Sequence, residues 1–139
     1  MSTLVICEAT GRWAAALRLA LEGQAARVVE TRSLAECGER IAELSAALVA
    51  VELTPSNLDA VLDWLLSAER SFPESRIVML ADRGLEEYEL LARELGAVHF
   101  TTSPRSLAEL VPLVRAAGAA RSTQQGLTEQ ILADLPWSD

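Results

Sequence analysis

The chain has 139 residues, the size of one compact domain, and half of them are hydrophobic, which excludes a wholly disordered protein. All 12 basic residues are arginines and 20 residues are acidic, so the net charge is −8. This charge argues against a nucleic acid partner, and the absence of lysine excludes mechanisms that need a lysine amine. No apolar run approaches the roughly 18 residues of a membrane span, and no secretory signal is visible. We therefore expect a cytoplasmic protein that contacts no membrane.

The chain contains two cysteines, Cys7 and Cys37, which are 30 residues apart, and one histidine, His99. A structural zinc site needs closely spaced cysteines or histidines, so this composition excludes one. The sequence predicts two buried, reduced thiols in place of a disulfide. We expect His99 to be a surface or partly buried side chain and not a ligand.

Short apolar runs alternate with helical patterns along most of the chain. The apolar runs predict five strands, at 4–7, 26–29, 47–51, 77–80 and 98–100. Apolar stripes at helical spacing predict helices within 13–21, 58–66, 85–95 and 107–114. Capping-box patterns beginning at Ser33 and Ser106 predict two helix starts. The alternation predicts an α/β fold with a five-stranded parallel sheet, doubly wound, in the flavodoxin-like order 2-1-3-4-5.

The pattern changes near the carboxyl terminus. We predict one domain over residues 1–121, followed by a polar linker and an apolar-acidic tail over 122–139. The tail contains Leu132, Leu135 and Trp137 among its large apolar residues. It is interpreted either as a peptide that docks on a partner or as a sixth element packed on its own domain.

Ligand sites in doubly wound sheets lie beyond the carboxyl ends of the strands. The residues expected there are Glu8, Ala9, Glu52, Ala81, Asp82 and Ser103. The segment after the first strand lacks the three spaced glycines of a dinucleotide loop, and no phosphate loop or Gly-x-Ser-x-Gly elbow is present. These absences leave no residue pattern for an enzyme.

Five segments, taken in order, resemble the receiver domain of bacterial response regulators, the CheY-like family, over residues 3–117. They are the first strand with its acidic position at 4–9, the helix and second strand at 17–30, the third strand and proline at 47–55, the approach to strand four at 72–80, and the Gly-Ala to Ser-Pro segment at 96–104. The resemblance implies a signalling module with a phosphorylation pocket at the ends of strands one, three, four and five.

The key positions of that family are changed in this chain. By the resemblance, the phosphoacceptor aspartate falls on Glu52, the two metal-binding acids fall on Glu8 and Ala9, the hydroxyl residue falls on Ala81 and the lysine falls on Ser103. Phosphoryl transfer depends on a metal ion and positive donors, and here one acid, the hydroxyl and the ammonium are missing. The resemblance therefore implies a pseudo-receiver that is not phosphorylated, has no catalytic residues and needs no cofactor.

Several interpretations of this degenerate pocket stay open. Glu52 is either a fixed charge that mimics a switched state or a solvated carboxylate left at an inactive site and paired with a nearby arginine. Glu8 and Glu52 are a weak candidate Mg²⁺ site. Phe100 falls on the position of the family's switch aromatic and is expected to pack ordinarily. Two alternative functions stay open: an atypical response regulator with a residual Mg²⁺ or phosphoryl response, and a small-molecule sensor.

Surface residues supply the remaining candidates. Trp64 lies off the apolar stripe of the third helix and is either an exposed contact or packed along a loop. Glu86 and Glu87 make the fourth helix acidic, which suits a basic partner surface, and Pro112 is expected to bend the last helix. The sequence thus predicts a non-catalytic protein-protein interaction or regulatory module in bacterial signalling, whose partner is a signalling protein or a second copy.

Overall fold

The computed structural model describes residues 2–117, and a five-stranded parallel sheet forms its centre. The strands are β1 (Ser2–Cys7), β2 (Ala26–Thr31), β3 (Leu48–Leu53), β4 (Arg76–Ala81) and β5 (Ala97–Thr101). Their order is β2-β1-β3-β4-β5, and every pairing is parallel, so the predicted fold class and strand order are confirmed. The switch in strand order places a crevice beyond the carboxyl ends of β1 and β3.

Helices cover both faces of this sheet. They are α1 (Arg12–Ala20), α2 (Leu34–Leu44), α3 (Leu58–Ser71), α4 (Glu89–Glu94) and α5 (residues 111–117). Short 3-10 helices at Glu86–Tyr88 and Pro104–Leu110 precede α4 and α5. Within residues 2–117, none of the helices is both long enough and apolar enough to cross a membrane.

The core consists of two apolar clusters, one on each side of the sheet. Side chains of β1 alternate between them: Val5 and Cys7 belong to the cluster under α2 and α3, whereas Leu4 and Ile6 belong to the cluster under α1. All six residues of β3 are buried, and its apolar run at 48–51 is that of a strand covered on both faces. The more alternating β2 lies at a sheet edge.

Helix α3 departs from the predicted apolar stripe. Its buried line runs through Val61, Leu65 and Ala68, and Leu66 is exposed. Trp64 is half-buried against the core, with its ring centroid 6.3 Å from that of Phe72. Of the two interpretations left open for Trp64, the structure agrees with packing along a loop, because the indole lies against Phe72, the residue that ends the helix.

The segment after β5 also differs from its prediction. The helix begins at Pro104 and is capped by Ser103, whose hydroxyl accepts a hydrogen bond from the Arg105 amide at 3.3 Å; the predicted start at Ser106 is wrong. The backbone is 3-10 up to Leu110 and α-helical from 111, so Pro112 lies in the first α-helical turn, where a missing N–H is tolerated. The predicted bend inside a continuous helix is thus replaced by a change of helix type. The predicted linker and tail, with Leu132, Leu135 and Trp137, lie outside the described residues.

Candidate functional site

An open cavity of about 580 Å³ lies beyond the carboxyl ends of β1 and β3. Its polar lining includes Glu8, Arg12, Arg32, Glu52, Asn57 and Asp82. Of the residues predicted for this crevice, Glu8, Ala9, Glu52 and Asp82 thus line the same cavity. The cavity lies at the topological switch point, where a ligand of this fold class is expected.

Glu8 caps the amino terminus of α1. Its two carboxylate oxygens accept hydrogen bonds from the backbone amides of Trp13 and Ala14, at 2.8 and 2.6 Å. The side chain is buried, and Gly11, at φ 91°, makes the turn that brings the helix start over it. A negative charge at a helix amino terminus satisfies donors that the helix leaves open. The structure therefore gives Glu8 a capping role that the sequence analysis missed.

Glu52 is the fifth residue of β3, and its carboxylate is also engaged. Its Oε1 accepts a hydrogen bond from the Ala9 amide at 3.3 Å, and its Oε2 lies 3.7 Å from Nη2 of Arg12. The same Nη2 is 3.2 Å from a carboxylate oxygen of Asp82. One guanidinium thus bridges the ends of β3 and β4. Glu52 is paired with an arginine, as one interpretation expected, but it is buried and not solvated, because β3 lies inside the sheet.

Asn57 fixes the loop that follows Glu52. Its side-chain amide donates to the Glu52 carbonyl at 2.9 Å, and its side-chain oxygen accepts from the Thr54 amide at 2.7 Å. The loop is closed on itself immediately beneath Glu52. A polar turn of this kind holds the backbone of Glu52 in place without using its carboxylate.

Ala81 and Ser103 do not join Glu8 and Glu52 in this cavity. Ala81 ends β4 and borders a second cavity of about 450 Å³ on the other side of Arg12, together with Arg83 and Thr102. Ser103 lines neither of these two cavities, because its hydroxyl caps the following helix. The two residues thus offer no hydroxyl or ammonium to a group bound beside Glu52.

Two arginines of the site were not predicted from the sequence. Arg12 follows the turn after β1, and Arg32 follows β2 and donates to the Glu8 carbonyl at 3.4 Å. Arg18 and Arg32 both bind Glu30, at 2.8 and 3.1 Å, and these hydrogen bonds lower the pKa of the Glu30 carboxyl. Both arginines follow a strand end within a few residues, and this position in the sequence could have identified them as candidates for the site.

The two cysteines meet beneath the cavity. Cys7 is the last residue of β1 and lines the cavity, and Cys37 lies on α2 with no exposed surface. Both are free, buried thiols, as predicted. The neighbouring Cys37 thiol lowers the pKa of the Cys7 thiol, and the Cys7 thiol together with burial raises the pKa of the Cys37 thiol.

Phe100 and His99 lie on β5. Phe100 is buried in the cluster under α2 and α3, which agrees with ordinary packing. His99 is partly buried, as predicted, and its Nε2 lies 3.6 Å from a carboxylate oxygen of Glu109. Within residues 2–117, no group of three or more His, Cys, Asp or Glu side chains is arranged to hold a metal ion.

An exposed apolar patch lies beside the acidic residues that precede α4. Leu90, Leu91 and Val98 are exposed, and so are Glu86 and Glu87. Arg93 donates to the Val98 carbonyl at 3.3 Å, which joins α4 to the edge strand β5. We name these five residues (Glu86, Glu87, Leu90, Leu91 and Val98) the α4–β5 face.

The capping role of Glu8 predicts a stability change. Glu8→Gln replaces one acceptor oxygen with an NH₂ group that faces a backbone N–H, so we expect the free energy of unfolding to fall by about 1–3 kcal/mol. Glu43→Gln on exposed α2 surface is the matched control, with a change of about 0.5 kcal/mol or less. Urea unfolding followed by circular dichroism measures both. Equal changes in the two variants would contradict the capping role.

Comparisons with known proteins bear on the fold. No family model matches the chain, and no curated protein matches it. Among solved structures, a CheY-like protein, tadZ, from Pseudomonas aeruginosa PAO1 is 23% identical with a TM-score of 0.69, covering 84% of this chain and 99% of that chain. A response regulator from Thermotoga maritima is 18% identical with a TM-score of 0.73, covering 84% and 97%.

A third solved structure extends the same likeness. An orphan response regulator of H. pylori is 20% identical with a TM-score of 0.63, covering 84% of this chain and 95% of that chain. At these identities the likeness concerns the fold. Together with the strand order and the crevice at the β1 and β3 ends, it shows that residues 2–117 have the fold of CheY-like response-regulator receiver domains.

Proposed function

We propose that this chain is a pseudo-receiver, a non-catalytic module of receiver fold that is not phosphorylated and that acts through protein-protein contacts in bacterial cytoplasmic signalling. One observation carries the proposal. The two carboxylates at the family's acidic positions, Glu8 and Glu52, are both engaged by the protein's own donors. The positions that would serve a phosphoryl group are occupied by Ala9, Ala81 and Ser103.

The chemistry of phosphoryl transfer supports this proposal. The transferred group needs an in-line nucleophile, a cation and positive or hydroxyl donors around its oxygens. The Glu52 carboxylate accepts from the Ala9 amide and lies beside Arg12, so an attacking oxygen would have to leave both. No hydroxyl at position 81 and no ammonium at position 103 can bind the phosphoryl oxygens. The groups around Glu52 therefore fit a protein that has the receiver fold and does not carry out phosphoryl transfer.

The same contacts weigh against the Mg²⁺ alternative. Mg²⁺ requires oxygen ligands in a near-octahedral arrangement and usually binds one or two carboxylates. Glu8 caps α1 with both oxygens, and the Arg12 guanidinium lies between Glu52 and Asp82. A divalent cation would have to displace a positive charge and release a helix cap. We therefore propose that the site holds no metal cofactor.

The small-molecule alternative rests on the 580 Å³ cavity. Several of its polar side chains already pair with one another or with backbone, as in the Arg12–Asp82 and Asn57–Glu52 contacts. A ligand would therefore have to replace contacts that the protein already makes. This leaves the protein surface as the better candidate for the functional site.

We propose the α4–β5 face as the surface that binds a protein partner. It combines exposed leucine and valine side chains with exposed glutamates on the segment that leads into α4. Exposed apolar side chains that adjoin charge are typical of binding surfaces. Because each copy carries a net charge of −8, a partner with basic residues around an apolar centre is favoured over a second copy. The tail residues Leu132, Leu135 and Trp137 remain a separate prediction.

The absence of a phosphoryl response is tested by amide NMR. We expect no saturable shift of the Ala9, Glu52 or Asp82 amides on addition of Mg²⁺ and then of beryllofluoride, a phosphoryl mimic. The reason is that the Glu52 and Asp82 carboxylates already contact the Ala9 amide and Arg12. Saturable shifts in the wild type that disappear in Glu52→Gln would contradict the pseudo-receiver and favour an atypical receiver.

A gain-of-binding variant sharpens this measurement. Arg12→Ala removes the guanidinium between Glu52 and Asp82, so we expect weak, saturable Mg²⁺ shifts to appear at these two residues. Arg83→Ala removes an equal charge from the neighbouring loop and is the matched control. If neither variant binds Mg²⁺, Arg12 is not what excludes the cation.

The α4–β5 face is tested by photo-crosslinking in the source cells. A benzophenone amino acid at position 90 is compared with one at position 19, since Leu90 and Leu19 are similarly exposed, at 69% and 73%. We expect a discrete crosslinked protein from position 90 and none from position 19. Equal crosslinking at both positions, or a crosslink only to a second copy, would contradict the proposed face and partner.

A further inference from the structure

We propose that Cys7 and Cys37 form a redox site at the floor of the cavity, in which a hydroperoxide oxidises the two thiols to an intramolecular disulfide. The inference concerns thiol chemistry and does not depend on whether Glu52 is phosphorylated. It assigns a modification site, with a peroxide as its substrate class, to side chains that the proposed function leaves unused.

The placement of the two thiols carries the proposal. Cys7 ends β1, where it pairs in register with Thr31 and Val51, and it forms part of the cavity lining. Cys37 lies in the first turn of α2, and its thiol is the main cause that lowers the pKa of the Cys7 thiol. Both residues belong to the apolar cluster under α2 and α3, so the fold holds them in the same part of the core. The pair therefore needs no large chain movement to react.

The accessibility of the two thiols assigns their roles. Cys7 is 7% exposed and borders the open cavity, whereas Cys37 is 0% exposed. An incoming peroxide of small size reaches the cavity floor and meets Cys7 first. Cys37 then acts on the oxidised Cys7 from inside the core. Cys7 is thus the reacting thiol and Cys37 the resolving thiol.

The Cys7 thiol loses its proton, and the thiolate attacks one oxygen of the hydroperoxide as the O–O bond breaks. That oxygen stays on sulfur as a sulfenic acid, and the other oxygen takes up the proton and leaves as water or an alcohol. The Cys37 thiol then attacks the Cys7 sulfur, an S–S bond forms, and water leaves. The thiols lose two electrons in total and the peroxide gains them. A thiol reductant reverses the bond by disulfide exchange.

The disulfide would join α2 directly to β1. Ser33 and Leu34, at the start of α2, line the same cavity as Cys7, Glu8 and Glu52. A covalent bond between the strand and the helix fixes this rim of the cavity. Disulfides in cytoplasmic proteins are typically transient and redox-sensing, which is the use inferred here.

Peptide mapping tests the inference cleanly in this chain. There are only two cysteines and no lysine, so trypsin places Cys7 on peptide 1–12 and Cys37 on peptide 33–40. After treatment of the native protein with hydrogen peroxide and alkylation of remaining thiols, we expect monomeric protein with these two peptides linked. Dithiothreitol should separate them. In urea we expect the linking step that follows oxidation of Cys7 to be slower, because the fold no longer holds the thiols together.

Variants separate the two roles. Cys37→Ala is expected to accumulate a sulfenic acid at Cys7 that dimedone traps, whereas Cys7→Ala should react far more slowly, because Cys37 is sealed in the core. Circular dichroism checks that each variant is folded, and the wild-type comparison in urea needs no variant. Linked peptides found only in dimers, no linkage at peroxide levels that oxidise free cysteine, or equal rates in native and unfolded protein would each overturn the proposal.

Discussion

A buried carboxylate that closes the start of a helix is the contact on which the crevice of this protein depends. Glu8 directly follows β1, and both of its oxygens accept backbone hydrogen bonds from Trp13 and Ala14. An ionised carboxylate is costly to bury unless such donors satisfy it. Because the cap sets where α1 starts, it also sets the position of Arg12 at the mouth of the crevice. The fold and the electrostatics of the site are thus linked through one side chain.

The position of Arg12 supports our proposal that this receiver fold is not phosphorylated. Its guanidinium lies against carboxylates of β3 and of the loop after β4, so a positive charge is already present between them. More than half of the Arg12 side chain is exposed, and solvent screens such a pair, so its effect on stability is small. Its effect on cation binding is local, because the guanidinium lies between Glu52 and Asp82 and supplies the positive charge that a bound cation would otherwise provide.

The sequence predicted the framework well because buried parallel strands carry a plain signal. The apolar runs at 47–51 and 77–80 became strands inside the sheet, where both faces are covered, and the more alternating run at 26–29 became an edge strand. Side-chain reach was not predictable in the same way. Trp64 reaches back to Phe72 although its position on the helical wheel pointed outward. The spacing of residues along a helix predicts the face on which each residue lies. It does not predict which neighbouring residue a large side chain packs against.

The candidate functional site was likewise predicted only in part from the sequence. The resemblance correctly placed Glu8 and Glu52 near one crevice, because strand ends of a parallel sheet meet at one edge. It missed Arg12, whose partner Asp82 is 70 residues away along the chain. It also missed that Glu8 caps α1, since a cap depends on the turn at Gly11 and not on residue identity alone. Contacts between distant loops are set by the folded geometry, which no local pattern contains.

Whether this crevice can be phosphorylated is tested by the intact mass of the protein after incubation with Mg²⁺ and a small phosphoryl donor such as acetyl phosphate. A receiver domain with a working aspartate, treated in parallel, confirms that the donor is active. The account predicts that this chain keeps its unmodified mass while the reference receiver gains one phosphoryl group. A gain of one phosphoryl group that is lost in Glu52→Gln would contradict the account and restore a phosphorylation switch to this crevice.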